Sequence, residues 1–452
     1  MTHLLGRTRE RAQEFFHHRF VRDTATLQAG TFISLGLGLI SSVVFARALQ
    51  LEGFGEYALI SAIAAVASIP LDLGVGYGTL TLMAAAHARG DRDAVRDIAT
   101  FFVKATALIA LGIGVPVMVG TWLFTAVVYH SPTLGLLTVP LLAVQVLTAF
   151  FIFITIVYQV QHRLTALVVV ENVNRVLVMV FPVTLVLLGY GLLGIVVGQF
   201  AAALTSLGGA LFLYRRACVV DPLLPSSRDM WGHFGRVRLG KYFRFSFKIA
   251  FDKSIANLFA TLPVMFLGRL APVYLAGYYR LAFSYLQVPM RLTGSVSRLL
   301  QIQLPQSYVS GADTLIRHFR KVTVYSGLLS LCLVAGAIIL AGPLITLVYG
   351  SSYAAAAKVV YVLVPFAVVS GFSVGMGPVF RAIDRVGSVI AINLATLAIV
   401  TPIGYWLVRT YHVYGAAALL GLYTAVATGA ALLVVGYHFR RLSRSDADHA
   451  RE

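Results

Sequence analysis

Charged side chains are scarce in this chain: Asp, Glu, Lys and Arg make up 12% of its 452 residues, against about 25% in soluble domains. With 58% hydrophobic residues and a mean hydropathy of +0.83, that scarcity excludes an ordinary solvated globule. Acids are fewer than bases, 18 against 36, leaving a net charge of +18. Cysteine is nearly missing. Cys218 and Cys332 lie far apart, the second in an apolar segment, so neither a disulfide framework nor a metal site is suggested. No histidine sits at mid-span beside a ligating partner, and no phosphate-binding loop of Walker type occurs, which sets aside resident metal and intrinsic ATP hydrolysis. Arg7, Arg9, Arg11, Arg19 and Arg22 are not followed by the short apolar core and small-residue site of a cleavable signal. The first apolar span is therefore expected to be retained.

What is present is a series of long apolar runs. A helix crossing a membrane needs about 20 mostly apolar residues, and twelve such spans are legible: 26–48, 54–80, 96–128, 135–160, 164–188, 191–214, 246–269, 273–303, 319–348, 355–380, 386–408 and 413–438. The chain reads as an all-α polytopic membrane protein. Placing both termini in the cytoplasm puts most Lys and Arg in cytoplasmic tails and loops, as the positive-inside rule requires. The positive charge thereby reads as orientation and lipid headgroup contact rather than as a nucleic-acid surface.

The longest connection, with Asp221, Pro222 and Pro225, divides six spans from six. The expected organisation is a basic N-terminal segment 1–25, an N-lobe 26–217, a cytoplasmic linker 218–245, a C-lobe 246–441 and a tail 442–452. Arg47, Gly55, Tyr57 and Leu59 recur at a constant offset of 222 as Arg269, Gly277, Tyr279 and Leu281. Pro182 and Pro402 sit in spans five and eleven, and Arg215-Arg216 and Arg440-Arg441 close the two halves. The two lobes thus read as parallel repeats.

Inside these spans a few polar residues stand out. Arg280, Arg291 and Arg298 are 11 and 7 residues apart, which at about 100° per residue aligns them within roughly 20°. A charge at mid-bilayer costs on the order of 3 kcal/mol, so three on one line imply water or an anionic partner. Ser284, Gln287 and Gln301 extend the same stripe. The competing reading has Arg280 and Arg298 snorkelling to opposite interfaces, leaving Arg291 buried. Span seven adds Asp252 and Lys253, with Asn257 and Thr261 following Lys253 along one face, although the charged pair lies near an interface. Span five adds Glu171, Asn172, Asn174 and Arg175, where Glu171 and Arg175 at i, i+4 can pair within one helix. In span two, Ser68, Pro70, Asp72, Gly74, Gly76 and Gly78 cannot make a stiff straight helix. Asp72 there either carries a coupling ion or caps a broken helix. Gly371, Gly375, Gly377 and Pro378 in span ten suit close packing or bending. Arg47, Lys104 and Arg269 read mainly as interfacial.

The stretch from Phe45 to Leu59, FARALQLEGFGEYAL, resembles the signature of the oligosaccharide-lipid flippases of Wzx type, with Gly277-Tyr278-Tyr279 after Arg269 as its second-half echo. Gln50 stands where that family often has Gly. The resemblance extends loosely over all twelve spans. It implies the fold shared by lipid II flippases and multidrug and toxin extruders: two six-helix lobes around a central cavity, here a cationic one. It further implies alternating-access transport of a polyprenyl-pyrophosphate-linked glycan across the bacterial plasma membrane. Substrate binding would fall to Arg291, Arg280, Arg298, Arg175, Lys253 and Gln287, and H⁺ or Na⁺ coupling to Asp72, Glu171 or Asp252, with no organic cofactor and no resident metal. Membrane lipids and the glycan polymerase or glycosyltransferases of the same pathway are the partners so implied. Two rivals are a drug or small-molecule exporter of the same superfamily, whose cavity should favour carboxylates, and a membrane glycan polymerase or glycosyltransferase, which needs a larger extramembrane loop.

Overall fold

The computed structural model describes residues 19–71, 73–237, 239–309, 312–383 and 385–449. Among them there is no strand; the chain is a succession of helices. In order these are α1 (Arg19–Ala67), α2 (Val75–Ala88), α3 (Arg92–Ile109), α4 (Val115–Val128), α5 (Pro132–Val160), α6 (Leu164–Leu185) and α7 (Gly191–Val220). A short α8 (Ser227–His233) precedes α9 (Gly240–Leu270), α10 (Tyr274–Val309), α11 (Ala312–Tyr349), α12 (Ala356–Phe372), α13 (Met376–Ala382) and α14 (Val386–His449). Seven stretches among the described residues are long and apolar enough to cross a membrane. Helix suits this sequence because lipid offers backbone N–H and C=O groups no partner, and a helix satisfies them internally. Hydroxyls follow the same logic: Ser34, Thr100 and Thr396 each donate to the carbonyl four residues earlier, at 2.7–2.8 Å.

Some of the long helices are really pairs of spans joined by turns of a few residues. α1 is broken at Gln50 (φ 57°) and α14 at His412 (φ 49°), while Gly189 and Gly191 (φ 93° and 52°) turn the chain from α6 into α7. Divided at these points, and with α3 joined to α4 through a π-turn at Ala110–Gly114, the helices follow the twelve expected spans. The turns also carry the repeat. His130 and Gly350, both at positive φ, stand at almost the spacing that separates Gly55 from Gly277, and so do Gly191 and His412. Side-chain contacts repeat in the same register. A methyl added at Gly198 would strike Pro182 in the first half, and one added at Gly404 would strike Leu419 in the second.

The repeated glycines meet each other. A Cβ on Gly55 would overlap the Val273 carbonyl, and one on Gly277 would lie 3.1 Å from the Leu51 carbonyl and 3.3 Å from the Gly55 nitrogen. Leu51 and Val273 are themselves one repeat offset apart, so position 55 reads 273 while position 277 reads 51. Such reciprocity is the mark of a two-fold contact. It explains the motif: only glycine lets the second limb of α1 and the start of α10 approach backbone to backbone. Leu59 is buried and closes on Gly268, while Tyr279 and Leu281 are fully buried beside the crossing.

By its contacts the chain divides into two compact units. One comprises the described residues up to Ala48 with Ala67–Leu123 and Gly135–Ala250; the other comprises Leu49–Val66, Phe124–Leu134 and Phe251 onward. The glycine crossing lies within the second. The first unit is cored by Phe101, Phe102, Phe151, Phe153, Tyr158 and Tyr214, with Phe102 stacked on Phe153. In the second, Leu315, Phe319, Val379, Phe380, Val435 and Phe439 form an apolar cluster. Both flexible-looking stretches of sequence break their helices. Span two ends at Ala67, passes through a 3₁₀ turn at Ile69–Leu71, and restarts at Val75 after left-handed Gly74 (φ 72°). Span ten is interrupted between Phe372 and Met376. There Gly371 lies against Ser330, and Ser326 donates to the Gly371 carbonyl at 2.9 Å.

Gly55→Ala should therefore lower the thermal midpoint of the purified protein in detergent, at a cost of about 1–3 kcal/mol from overpacking. Gly38→Ala, which meets nothing within 4 Å, should leave the midpoint unchanged or raise it. Equal behaviour of the two variants would contradict the close crossing.

Candidate functional site

The stripe on α10 divides into residues of different surroundings. Arg280 is half-buried, with its guanidinium carbon 5.9 Å from the centre of the Tyr57 ring. At that distance the ring face attracts the cation. Tyr57 is the repeat counterpart of Tyr279, yet Tyr279 lies wholly inside, its ring near-parallel to Phe283 at 6.1 Å between centroids and its hydroxyl without a partner among the described residues. The residue that corresponds to Arg280 in the first half is Ala58, which is fully buried. One backbone plan thus carries a cation in only one of its copies.

About two turns further along α10 Gln287 is half-buried, and about three turns along Arg291 is exposed. Arg291 donates from Nη2 to the Gln287 side-chain oxygen at 3.2 Å, the i, i+4 contact that helix geometry allows. Among the described residues Arg291 has no carboxylate partner. A guanidinium has five N–H donors; after one is given to Gln287, the remainder can serve an oxyanion, and two in parallel match a phosphate edge. Ser284 lies half-buried on the same face. The side chains of Arg298 and Gln301 lie outside the described residues.

Span five departs from expectation. Glu171 is half-buried and Arg175 exposed, and no ion pair joins them among the described residues. Where water reaches a helical i, i+4 pair it contributes only about 0.3–0.5 kcal/mol, less than ordering two long side chains costs. The neighbouring asparagines instead pack between helices. Asn172 donates to the Val168 carbonyl at 2.9 Å and lies against Gly30 of α1, while Asn174 accepts from Ser206 of α7 at 2.6 Å.

Asp72 lies outside the described residues, although the helix break that flanks it is clear. The side chains of Asp252 and Lys253 on α9 also lie outside them. Further along that helix, Asn257 is exposed and Thr261 returns its hydroxyl to the Asn257 carbonyl at 3.0 Å. Lys104 has a structural role: it donates to the Val237 carbonyl at 3.1 Å and sits 5.5 Å from the Phe234 ring centre. Arg47 and Arg269 are both exposed.

Sequence reasoning missed how the connection after α7 is fixed. Asp221 receives hydrogen bonds from Gln161 at 3.0 Å and from the Leu223 N–H at 3.0 Å, and its Oδ2 lies 2.8 Å from His87 Nε2. Burial alone would raise this carboxyl, but the bonds from His87, Gln161 and Leu223 outweigh it and hold it below the ordinary carboxylate range. Tyr214 donates to the Pro225 carbonyl at 2.6 Å, and Ser226 with Asp229 forms a capping box that starts α8. Together with Lys104, these contacts press residues 221–237 against α2, α3 and α5 of the same unit. The only sequence signal was Asp-Pro at the end of an apolar run, which announces a turn and is silent about His87 and Gln161.

Comparison with known proteins gives the chain relatives of one kind. A family model described as "Polysaccharide biosynthesis protein" matches residues 20–300. No curated protein matches by sequence. Among solved structures, an inward-facing multidrug resistance MATE family transporter of the MOP superfamily superposes with a TM-score of 0.73 at 14% identity, covering 91% of this chain and 96% of that one. The lipid II flippase MurJ in an inward closed conformation gives 0.68 at 12% identity, with 92% and 89% covered. A MOP superfamily transporter from Pyrococcus furiosus, described as having a binding pocket of reverse polarity, gives 0.64 at 14% identity, with 94% and 95% covered. At such identities the likeness is one of fold.

Asp221→Asn should loosen the connection after α7, read as faster proteolytic cleavage within 221–237 and a loss of about 1–2 kcal/mol from the charge-assisted bonds. Because the folded carboxyl titrates below its unfolded value, its contribution is complete above about pH 4 and is lost as pH falls through the folded value. The wild-type cleavage rate should accordingly approach that of the variant only in acid; a rise confined to neutral or alkaline pH would contradict this role for Asp221.

Proposed function

Because the chain belongs to the polysaccharide biosynthesis protein family, a group of multi-pass membrane transporters, we propose that it flips a polyprenyl-pyrophosphate-linked oligosaccharide from the inner to the outer leaflet of a bacterial plasma membrane. Exposed Arg291 on α10 carries this reading. It is a cation on an apolar span, without a carboxylate among the described residues, held upright by Gln287 and free to bind oxyanions. A pyrophosphate supplies oxyanions in pairs, and each guanidinium–phosphate contact is a charge-assisted bond of about twice the ordinary strength. The polyprenyl tail stays in lipid, which is its natural solvent.

In this proposal Arg291 takes the pyrophosphate, with Arg280, Arg298, Arg175 and Lys253 as further cations along the path. Arg280, resting on Tyr57, offers a softer and partly neutralised site toward one end. The helix breaks at 68–74 and 373–375 absorb the backbone changes of alternating access. Proton or sodium binding at Asp72, Glu171 or Asp252 biases the cycle. Both termini face the cytoplasm, and the sugar-building glycosyltransferases and glycan polymerase act before and after the transfer. No covalent chemistry is assigned to the chain.

Arg291→Ala should abolish surface glycan export, with amounts of folded protein unchanged, whereas Arg291→Lys should retain part of it; normal export in the alanine variant would remove the assignment. Reconstituted protein should also translocate a lipid-linked glycan in vesicles without ATP. Failure with every glycan tried, together with efflux of small cations, would replace this reading by that of a small-molecule exporter.

A further inference from the structure

The first turns of α11 hold an open groove of about 600 Å³ lined by Ile316, Arg317, Arg320, Lys321, Val324 and Tyr325. These residues fall into two helical rows, 316–320–324 and 317–321–325, so they form one face. Arg317, Arg320 and Lys321 are exposed, and among the described residues none of the three makes an ion pair. Three unpaired cations within five residues repel one another unless a counter-charge joins them. Immediately beyond, the same face turns apolar: Val324, Tyr325, Leu328 and Leu329 are all exposed, Tyr325 by 68%. Charge, aromatic ring and aliphatic surface thus follow one another along the helix in the order in which a lipid presents phosphate, glycerol and acyl chain.

We propose that this groove on α11 binds an anionic phospholipid, phosphatidylglycerol or its double-headed relative diphosphatidylglycerol, through its headgroup phosphate. Arg317 and Arg320 supply planar donor forks to the phosphate oxygens and Lys321 a point charge. Tyr325 lies at the glycerol level, and the acyl chains run down over Leu328 and Leu329. A free phosphate gains nothing from that apolar continuation, and a zwitterionic headgroup brings its own cation against the three already there. Arg291 is not among the residues lining the groove, and the proposal does not depend on what the chain transports.

The test is lipid binding to the full chain purified in detergent, read by native mass spectrometry as bound lipid per protein during titration. Diphosphatidylglycerol and phosphatidylglycerol should bind, and removing Arg317, Arg320 and Lys321 together by alanine substitution should weaken them by about fivefold per cation. Arg317→Lys with Arg320→Lys should keep most of the affinity, and gel filtration and helical content of all variants should match the parent. Phosphatidylethanolamine should show no dependence on the three cations. Four results would overturn the proposal: retention that ignores the triple substitution, equal dependence for phosphatidylethanolamine, displacement by inorganic phosphate as effective as by lipid, or tighter cation-dependent binding of a polyprenyl pyrophosphate.

Discussion

The second compact unit depends on one close approach, that of the backbone at Gly55 to Val273 and of Gly277 to Leu51. Two helices in lipid gain little from hiding apolar surface from each other, since lipid is as apolar as they are. What holds them is dispersion between atoms brought very near, and that demands positions without side chains. The two glycines meet the demand reciprocally, so one geometric condition is used twice. Around it the large side chains are placed: Leu59 over Gly268, and Tyr279 and Leu281 inside. The helix breaks fall elsewhere in the sequence, in span two beyond Ala67 and in span ten beyond Phe372.

The same frame shows how a membrane protein disposes of cations without matching acids. Arg280 is set on the face of Tyr57, Lys104 is shared between a carbonyl and a phenyl ring, and Arg291 is propped by an amide. Each solution partly satisfies the charge while leaving it a charge. Arg291 gives one donor to Gln287 and keeps the rest open, whereas Lys104 is held inside its own unit by the Val237 carbonyl and the Phe234 ring. Repetition sharpens the contrast, because Ala58 occupies in the first half the place of Arg280 in the second.

Much of this fold was legible in the sequence, and for a physical reason. Span length and apolarity are one-dimensional properties fixed by bilayer thickness, so the twelve spans could be read without knowing what touches what. The break around Pro70 and Gly74 followed from residues that cannot sustain a helix, and the repeat from spacing alone. The site was read less completely. That Asn172 faces Gly30 and Asn174 faces Ser206, that Glu171 and Arg175 stay apart, and that Asp221 gathers His87 and Gln161 are all facts of packing between distant segments. Periodicity can say that two residues share a face, and it is silent about which helix that face meets. For the same reason the sequence did not reveal that residues 49–66 pack in the unit built mainly from the second half of the chain.

The turns at Gln50, Gly189–Gly191 and His412 separate one helix from the next by only one to three residues. At each of these turns an antibody or a protease finds almost no chain to grip. A protein partner approaching the molecule at one of these turns has no loop to read there. It has to recognise helix flanks within the bilayer, so association there would be governed by lipid thickness and composition more than by ionic strength.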